Sequence, residues 1–291
     1  MQNTPEQPQP LTSPYRGEVN SRRRLTIRVG RATLSFSYQA GQNPDIAYEP
    51  YVVRSGVSMA ANLREAFKTS DLLLAVSSEQ GSQPWTPLRT HVTLDTDTMM
   101  VPIEQFDESD METMYASTFP GSSHDALCYD VLPDLNAVAV FSVNRDLRLV
   151  LGDHFPDVRL MPIMGPVWRH LHQRSFTGRR QKLYAYFHER RMEVFAFRQN
   201  RFKFCNTFEA VRTNDALYFL LYVWKQLQLQ PEQDEVHLVG DMPDKQLLVS
   251  SLHRYLQNVY VINAAADFNN HPVTEIKDMP YDLMTLYAKG R

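Results

Sequence analysis

Apolar and polar residues alternate through LTIRVGRATLSFSY (25–38), and the alternation reverses around Gly30-Arg31. This predicts two strands joined by a tight hairpin. AYEPYVV (47–53) predicts a third strand. The period then changes: in SMAANLREAFKTS the apolar residues Met59, Leu63, Ala66 and Phe67 recur at helical spacing behind Ser58, a natural N-cap. DLLLAVS (71–77) is a continuous apolar run and reads as a strand buried on both faces. HVTLDTD and MMVPIEQF follow as strands, then an acidic helix from Asp107 to about Ser117.

The segment 126–173 is the most regular. ALCYDVLPDLNAVAVFSV predicts two strands separated by Pro133-Asp134, NRDLRLVLGDHF a helix, VRLMPIM a strand and GPVWRHLHQR another helix. From Gln181 the pattern starts again, with KLYAYFH, RMEVFAF and RFKFCNTF at meander spacing and a helix over 213–229 that is too apolar all round to be exposed. DEVHLVGDMPDKQLLVSSLHRYL then gives a buried strand (236–239), a sharp stop at Gly240-Asp241 and a helix from about Pro243, before a last strand, VYVI, and a less regular C-terminus. The order βββ-α-β-α therefore occurs twice, from near Leu25 and from near Lys182, with an insertion at 95–129 in the first copy. Two mixed sheets covered by helices make a two-lobed α/β protein.

This duplicated order resembles the actin-like ATPase (duplicated ribonuclease-H-like) fold. NAVAVFSVNRDLRLVLGDHFPDVRLMPIMGPVWRHL looks like the end of lobe I in pilus-assembly proteins with actin-like lobes, and KLYAYFHERRMEVFAFRQNRFKFCNTF like the opening of lobe II. The chain also resembles an uncharacterised bacterial family assigned this fold and no activity. The implied organisation is a disordered tail at 1–23, lobe I at 24–178 and lobe II at 179–291, with roughly the last twenty residues irregular and packed on lobe I.

The resemblance implies a nucleotide site at three places. Active members carry an acid in the first strand before a glycine hairpin; here Arg28 stands at the acidic position while Gly30 is kept. At the second phosphate hairpin, AYFHERR, Ala185 replaces the acid and no glycine remains. At the adenosine loop Gly240 is kept and Asp241 replaces its neighbour, where it is expected to cap the following helix. Losing both acids removes the usual Mg²⁺ and water positioning, so no catalytic residue and no cofactor is expected; ATP with Mg²⁺ is the disfavoured alternative. Arg28, Arg31, Arg190 and Arg191 would face the interlobe cleft, where arginine could pair with an anion or an acidic peptide. Solvated turn arginines are the plainer reading.

Composition narrows the rest. Only 11 glycines occur in 291 residues, about half the usual share of roughly 7%, and phosphate loops consume glycine. Net charge is −3, which demands neither nucleic acid nor membrane. Basic residues crowd 169–203 against only Glu189 and Glu193, and aromatic residues interleave them. Tyr184, Tyr186, Phe187, Phe195, Phe197, Phe202 and Phe204 fall at strand alternation, so a core role for most of them is favoured over a stacking platform. His170 and His172 lie two apart on a helix and point to different faces; the surface reading is preferred to metal binding. Ser-Ser-His-Asp (122–125) with Cys128 falls short of a zinc signature. Asp95 and Asp97 read as turn residues rather than paired carboxylates. Two cysteines without CxxC spacing fit a reducing compartment, no apolar run approaches a membrane span, and the N-terminus lacks the apolar core of a signal peptide, so a cytoplasmic place is expected. The leading expectation is a catalytically inactive binding or scaffolding module for a protein or peptide. The alternatives are an arginine-lined anion or nucleotide site and a basic nucleic-acid binder.

Overall fold

A computed structural model describes residues 23–40, 45–78, 89–121, 126–176, 180–198 and 201–289. The N-terminal 22 residues and His124, with its neighbours 122–125, lie outside the described residues.

The first half runs β1 (Arg24–Val29), β2 (Leu34–Gln39), β3 (Ile46–Tyr51), α1 (Met59–Thr69), α2 (Asp71–Ser78), β4 (Arg89–Leu94), β5 (Thr98–Pro102), α3 (Met111–Thr118), β6 (Ala126–Leu132), β7 (Ala137–Val143), α4 (Arg145–His154), β8 (Val158–Pro162) and α5 (Met164–Ser175). The second half runs β9 (Lys182–His188), β10 (Arg191–Arg198), β11 (Arg201–Glu209), α6 (Thr213–Gln226), β12 (Glu235–Gly240), α7 (Lys245–Leu252), β13 (Asn258–Val261), α8 (Ala264–Asp267) and α9 (Tyr281–Lys289). The two main sheets correspond strand for strand: β3-β2-β1-β4-β8 and β11-β10-β9-β12-β13. Each is an antiparallel meander extended by two parallel strands. Parallel neighbours need crossover connections: α1 with α2 and then α4 supply them in the first sheet, α6 and then α7 in the second.

Each sheet buries one face under its own helices. Leu25, Ile27, Val29 and Phe36 pack on Leu63 and Ala66 of α1, Leu73 and Val76 of α2, and Leu147 and Val150 of α4. Leu183, Ala185, Phe187 and Val194 pack on Ala216, Leu220 and Trp224 of α6 and on Leu248 and Leu252 of α7. A fully buried side chain of this size is worth about 1.5–3 kcal/mol. The other face of the second sheet is buried as well: Tyr184, Tyr186 and Phe195 join Trp168 and Leu171 of α5, Tyr281 of α9 and Ala137 and Ala139 of β7 in one cluster. Most of the aromatic residues at strand alternation are core: Tyr184, Tyr186, Phe187, Phe195 and Phe197 are buried, while Phe202 and Phe204 on the edge strand β11 are half-buried.

Several expectations are corrected. The run DLLLAVS is helix α2, not a strand. Ser70 accepts from Leu73 N at 3.1 Å, Asp71 opens the first turn, and only Leu73 and Val76 are buried while Leu74 is exposed; a short apolar run looks the same for either element until the cap is counted. The parallel strand after the first helix is β4. The insertion is longer than 95–129, because β7 belongs to it: β5, β6 and β7 form a separate sheet in the order β5-β7-β6, packed on Tyr115 of α3. Helix α6 is not enclosed, since Tyr218 and Tyr222 stand exposed on one face and stack on each other. His170 and His172 are buried rather than on the surface, because α5 is covered on both sides. His170 Nε2 lies 2.8 Å from Asp267 Oδ2, and His172 packs edge-on against Phe197. Asp244, not Asp241, caps α7, accepting from Leu247 N at 3.1 Å. The C-terminus is not irregular: α9 is a helix set behind Pro280, and Tyr287 Oη bonds Thr26 and Ser37 on the open face of the first sheet.

Candidate functional site

β1 and β9 hold equivalent central places in their sheets, and their hairpin turns meet. Arg28, on β1, is buried although it sits in a strand of apolar neighbours, because α9 covers the face it projects from. Its guanidinium grips Asp282 of α9 through Nε to Oδ1 and Nη2 to Oδ2, both at 3.0 Å. Nη1 donates to Glu189 Oε1 at 2.8 Å and to Thr33 Oγ1 at 3.1 Å. Tyr186 Oη donates to Asp282 Oδ2 at 2.7 Å. Burial by itself would discharge the guanidinium, but Asp282 outweighs it and holds Arg28 charged, well above the ordinary arginine pKa. Burial, with Asp282 adding to it, keeps the Tyr186 phenol neutral, far above its usual value.

Glu189 and Arg190 form the two-residue turn between β9 and β10, flanked by the pair His188 and Arg191. Their φ angles are 44° and 63°. A two-residue hairpin with both φ positive is the mirror-image turn that favours Asn-Gly, and each L side chain held there costs roughly 1–2 kcal/mol. The Glu189 carboxylate is seated in the first hairpin, where it also accepts from Thr33 Oγ1 at 2.6 Å and Ala32 N at 3.2 Å. A Cβ placed on Gly30 would lie 2.0 Å from Glu189 Oε1, so the glycine makes room for the acid of the opposite lobe. Burial pushes the Glu189 pKa up, and Arg28 with these hydrogen bonds brings it below the usual carboxylate range.

A second layer of charge flanks this pair. Arg31 reaches Asp97 at 2.5 Å and Asp95 at 3.5 Å. Arg191 lies 3.9 Å from Asp95 and 4.0 Å from Asp97. His188 is buried, with Nδ1 3.6 Å from Asp95 and Nε2 3.8 Å from Glu193, beyond hydrogen-bond length. Asp95 Oδ2, both ring nitrogens of His188 and Arg191 Nη1 are buried without hydrogen-bond partners among the described residues. Asp95, His188 and Glu189 place three potential metal-ligand atoms within 4.8 Å of one another. Burial raises the Asp95 pKa. Burial would lower that of His188, yet Glu193 and Asp95 lift it above its ordinary value.

Of the seven positions singled out in the sequence, Arg28, Gly30, Arg31 and Arg191 converge here. Arg190 occupies the turn beside Glu189 but is exposed. Gly240 lies against β9, where its φ of +96° and a Cβ position 2.1 Å from Phe187 O require glycine. Asp241 is exposed, its N–H bonded to Phe187 O. Sequence reasoning passed over Asp282, Glu189 and His188 as site residues and took Asp95 for a turn residue. Two signals were present: a two-residue turn without glycine in HERR, and a helix pattern behind Pro280 in PYDLMTLYAK.

Beside the cluster opens a cavity of about 760 Å³ walled by all of β5 and by much of β11, with Trp168 among its apolar lining and Asp95, Asp97, Arg191 and Glu193 at its polar end. β5 and β11 are edge strands of different sheets, so the cavity lies between two strand edges.

Residues 18–259 match the family described as Protein of unknown function (DUF3822). The chain belongs to that family. Among solved structures, this DUF3822 member is similar to a Bacteroides thetaiotaomicron VPI-5482 protein with actin-like ATPase fold and unknown function, at 25% identity and a TM-score of 0.75, over 90% of this chain and 100% of that one. It is also similar to the PilM-PilN type IV pilus biogenesis complex at 14% identity and a TM-score of 0.54, over 91% of this chain and 98% of the matched chain. The fold is therefore the actin-like ATPase fold, as the duplicated element order implied. No curated protein matches the sequence. No helix among the described residues is long and apolar enough to cross a membrane.

Proposed function

We propose that this DUF3822 member is a protein- or peptide-binding module that has given up the nucleotide chemistry of its fold. The observation that carries the reading is the Glu189 carboxylate, held by Arg28, Thr33 and Ala32 of the opposite hairpin. In the actin-like resemblance the two hairpins face phosphate; here an internal anion from one hairpin takes the donors of the other. The residues present do not fit Mg²⁺-ATP bound in the usual way. The positions of the two acids are Arg28 and Ala185, both buried in their sheets. A phosphate at Gly30 would have to displace a carboxylate bound by charge-assisted hydrogen bonds.

The binding surface in this reading is the cavity between β5 and β11. Strand edges offer unpaired backbone donors and acceptors, which an extended peptide satisfies by adding as a strand. Methionine and aromatic residues in the wall (Met99, Met100, Phe119, Phe202) give adaptable apolar contact. PilM, of the same fold, is found in complex with PilN, which is consistent with a protein partner. An arginine-built anion site has less support, because Arg28 is answered by Asp282 and Glu189, and Arg31 by Asp97 and Asp95. Free Cys128 and Cys205 are in keeping with a cytoplasmic place.

The test has two arms. ATP or ADP with Mg²⁺ is expected to leave the thermal midpoint unchanged, since a ligand that binds only the folded state must raise it; a clear rise overturns the loss of nucleotide binding. A photo-crosslinking residue at Met100 or Phe202 is expected to capture a partner from native lysate that the same residue at Tyr218 does not. Equal capture at all three positions overturns the assignment of the cavity.

A further inference from the structure

The buried polar atoms of Asp95 and His188 call for a partner that the described residues do not supply. Nδ1 of His188 and Oδ2 of Asp95 face each other at 3.6 Å, both buried and both without a hydrogen bond among the described residues. Leaving such groups unsatisfied costs about 1–3 kcal/mol each. A gap of 3.6 Å is too long for a hydrogen bond. It is close to the separation of two ligands on one metal ion, since bonds of about 2.0–2.2 Å set at a near-tetrahedral angle span roughly 3.5 Å. The Glu189 carboxylate completes a set of three ligand atoms within 4.8 Å of one another, and it has to close in by up to about 1.3 Å to share one ion at such bond lengths.

Charge points the same way. Asp95, Asp97, Glu189, Glu193 and Asp282 face Arg28, Arg31 and Arg191. The carboxylates outnumber the guanidiniums, and a proton on His188 still leaves negative charge unanswered. These donors do not come from the two acid positions of the fold's phosphate hairpins. Asp95 directly follows β4 in the first sheet, His188 ends β9 in the second, and Glu189 begins the strained turn.

We propose that Asp95, His188 and Glu189 hold a divalent first-row transition ion, of the class of Mn²⁺ or Zn²⁺, which clamps the two lobes together. One imidazole with two carboxylates favours such an ion over Mg²⁺ or Ca²⁺, which prefer all-oxygen sets. The ion gives Asp95 Oδ2 and His188 Nδ1 their missing partner and fixes Glu189 in the turn that its φ angle strains. Binding displaces the His188 proton, so affinity weakens as pH falls. The titratable groups facing that imidazole are Asp95 after β4, Glu189 in the turn, Glu193 on β10, Asp282 on α9 and the stacked Tyr186 ring of β9.

The test uses the full chain, stripped with EDTA, titrated with Mn²⁺, Zn²⁺, Mg²⁺ and Ca²⁺ by calorimetry and thermal unfolding. One equivalent of Mn²⁺ or Zn²⁺ is expected to bind and raise Tm by about 5 °C or more at saturation. Asp95→Asn and His188→Gln are each expected to weaken binding by more than about tenfold, the least that even an outer partner's loss costs. Affinity is expected to be weaker at pH 6 than at pH 8. The proposal is overturned if neither ion binds the wild-type chain, or if both variants bind as well as it does. Should both variants unfold, the His188 ring signals of the wild type followed by NMR during Zn²⁺ titration decide the matter: they must shift at one equivalent, and signals that stay in place overturn the site.

Discussion

The β1–β2 and β9–β10 hairpins occupy the same place in two sheets of the same strand order, yet they are built oppositely. The first has a glycine and keeps a buried cation, Arg28, on its strand. The second has no glycine and puts an acid, Glu189, at its tip in a left-handed conformation. Each difference alone would be a defect: an unpaired buried guanidinium in one lobe, and an L residue strained in a mirror-image turn in the other. Together they are complementary, because Glu189 answers Arg28 and Gly30 leaves the space that Glu189 enters. Duplication places two like turns face to face, and here one turn has become the ligand of the other. Helix α9 completes the pair by bringing Asp282 to the far side of the same guanidinium.

Arg28→Met tests this complementarity most severely. It leaves Asp282 and Glu189 buried without their cation, which should cost about 3–5 kcal/mol in urea or guanidinium unfolding; a loss under about 1 kcal/mol would break the comparison. Glu189→Gly comes next. It relieves the turn, yet it should destabilise, and in a double-mutant cycle with Arg28→Met the two should couple by about 1–3 kcal/mol. Additive losses would mean that the hairpins merely lie near each other. Acid titration sharpens the point without changing the packing. The folded Glu189 pKa is depressed, so its contribution is present above the usual glutamate pKa of about 4.3 and is lost as pH falls through the folded value. Glu189→Gln should flatten that part of the stability profile below about pH 4.3. The His188 pKa is raised in the folded state, so its contribution is complete below about pH 6.5 and disappears as pH rises through the folded value; His188→Gln should remove that decline in EDTA-treated protein. The smallest effect is expected at the neighbouring turn residue. Arg190 is exposed and carries the same positive φ without seating a carboxylate, so Arg190→Gly should be neutral or stabilise by up to about 1 kcal/mol, opposite in sign to Glu189→Gly.

How much of this was legible varied with the kind of signal. Strand alternation in residues 25–38 and in the β9–β11 meander was clear because each strand buries one face under its own helices, and a period of two records that burial. The DLLLAVS run misled because a short apolar stretch carries no period; the cap at Ser70, which decided for helix, also bonds Glu49 on a distant strand. His170 and His172 misled for a related reason: two faces of α5 were visible in the sequence, but not that both are covered. Arg28 could be recognised as a departure from the actin-like pattern. Its partners could not be, since Glu189 is 161 positions away and Asp282 is 254.

By itself, the sequence determined most of the element order, its duplication and hence the two-lobed fold, because periodicity, caps and turn residues act over a few neighbouring positions; it did not determine that DLLLAVS is a helix or that β7 leaves the main sheet. It also determined that the two acids of the phosphate hairpins are absent, since Arg28 and Ala185 are read directly. Only the tertiary structure decided what replaced them. A buried charge is stable only where partners of opposite sign converge on it in space, and here those partners come from a turn in the other lobe and from the last helix of the chain.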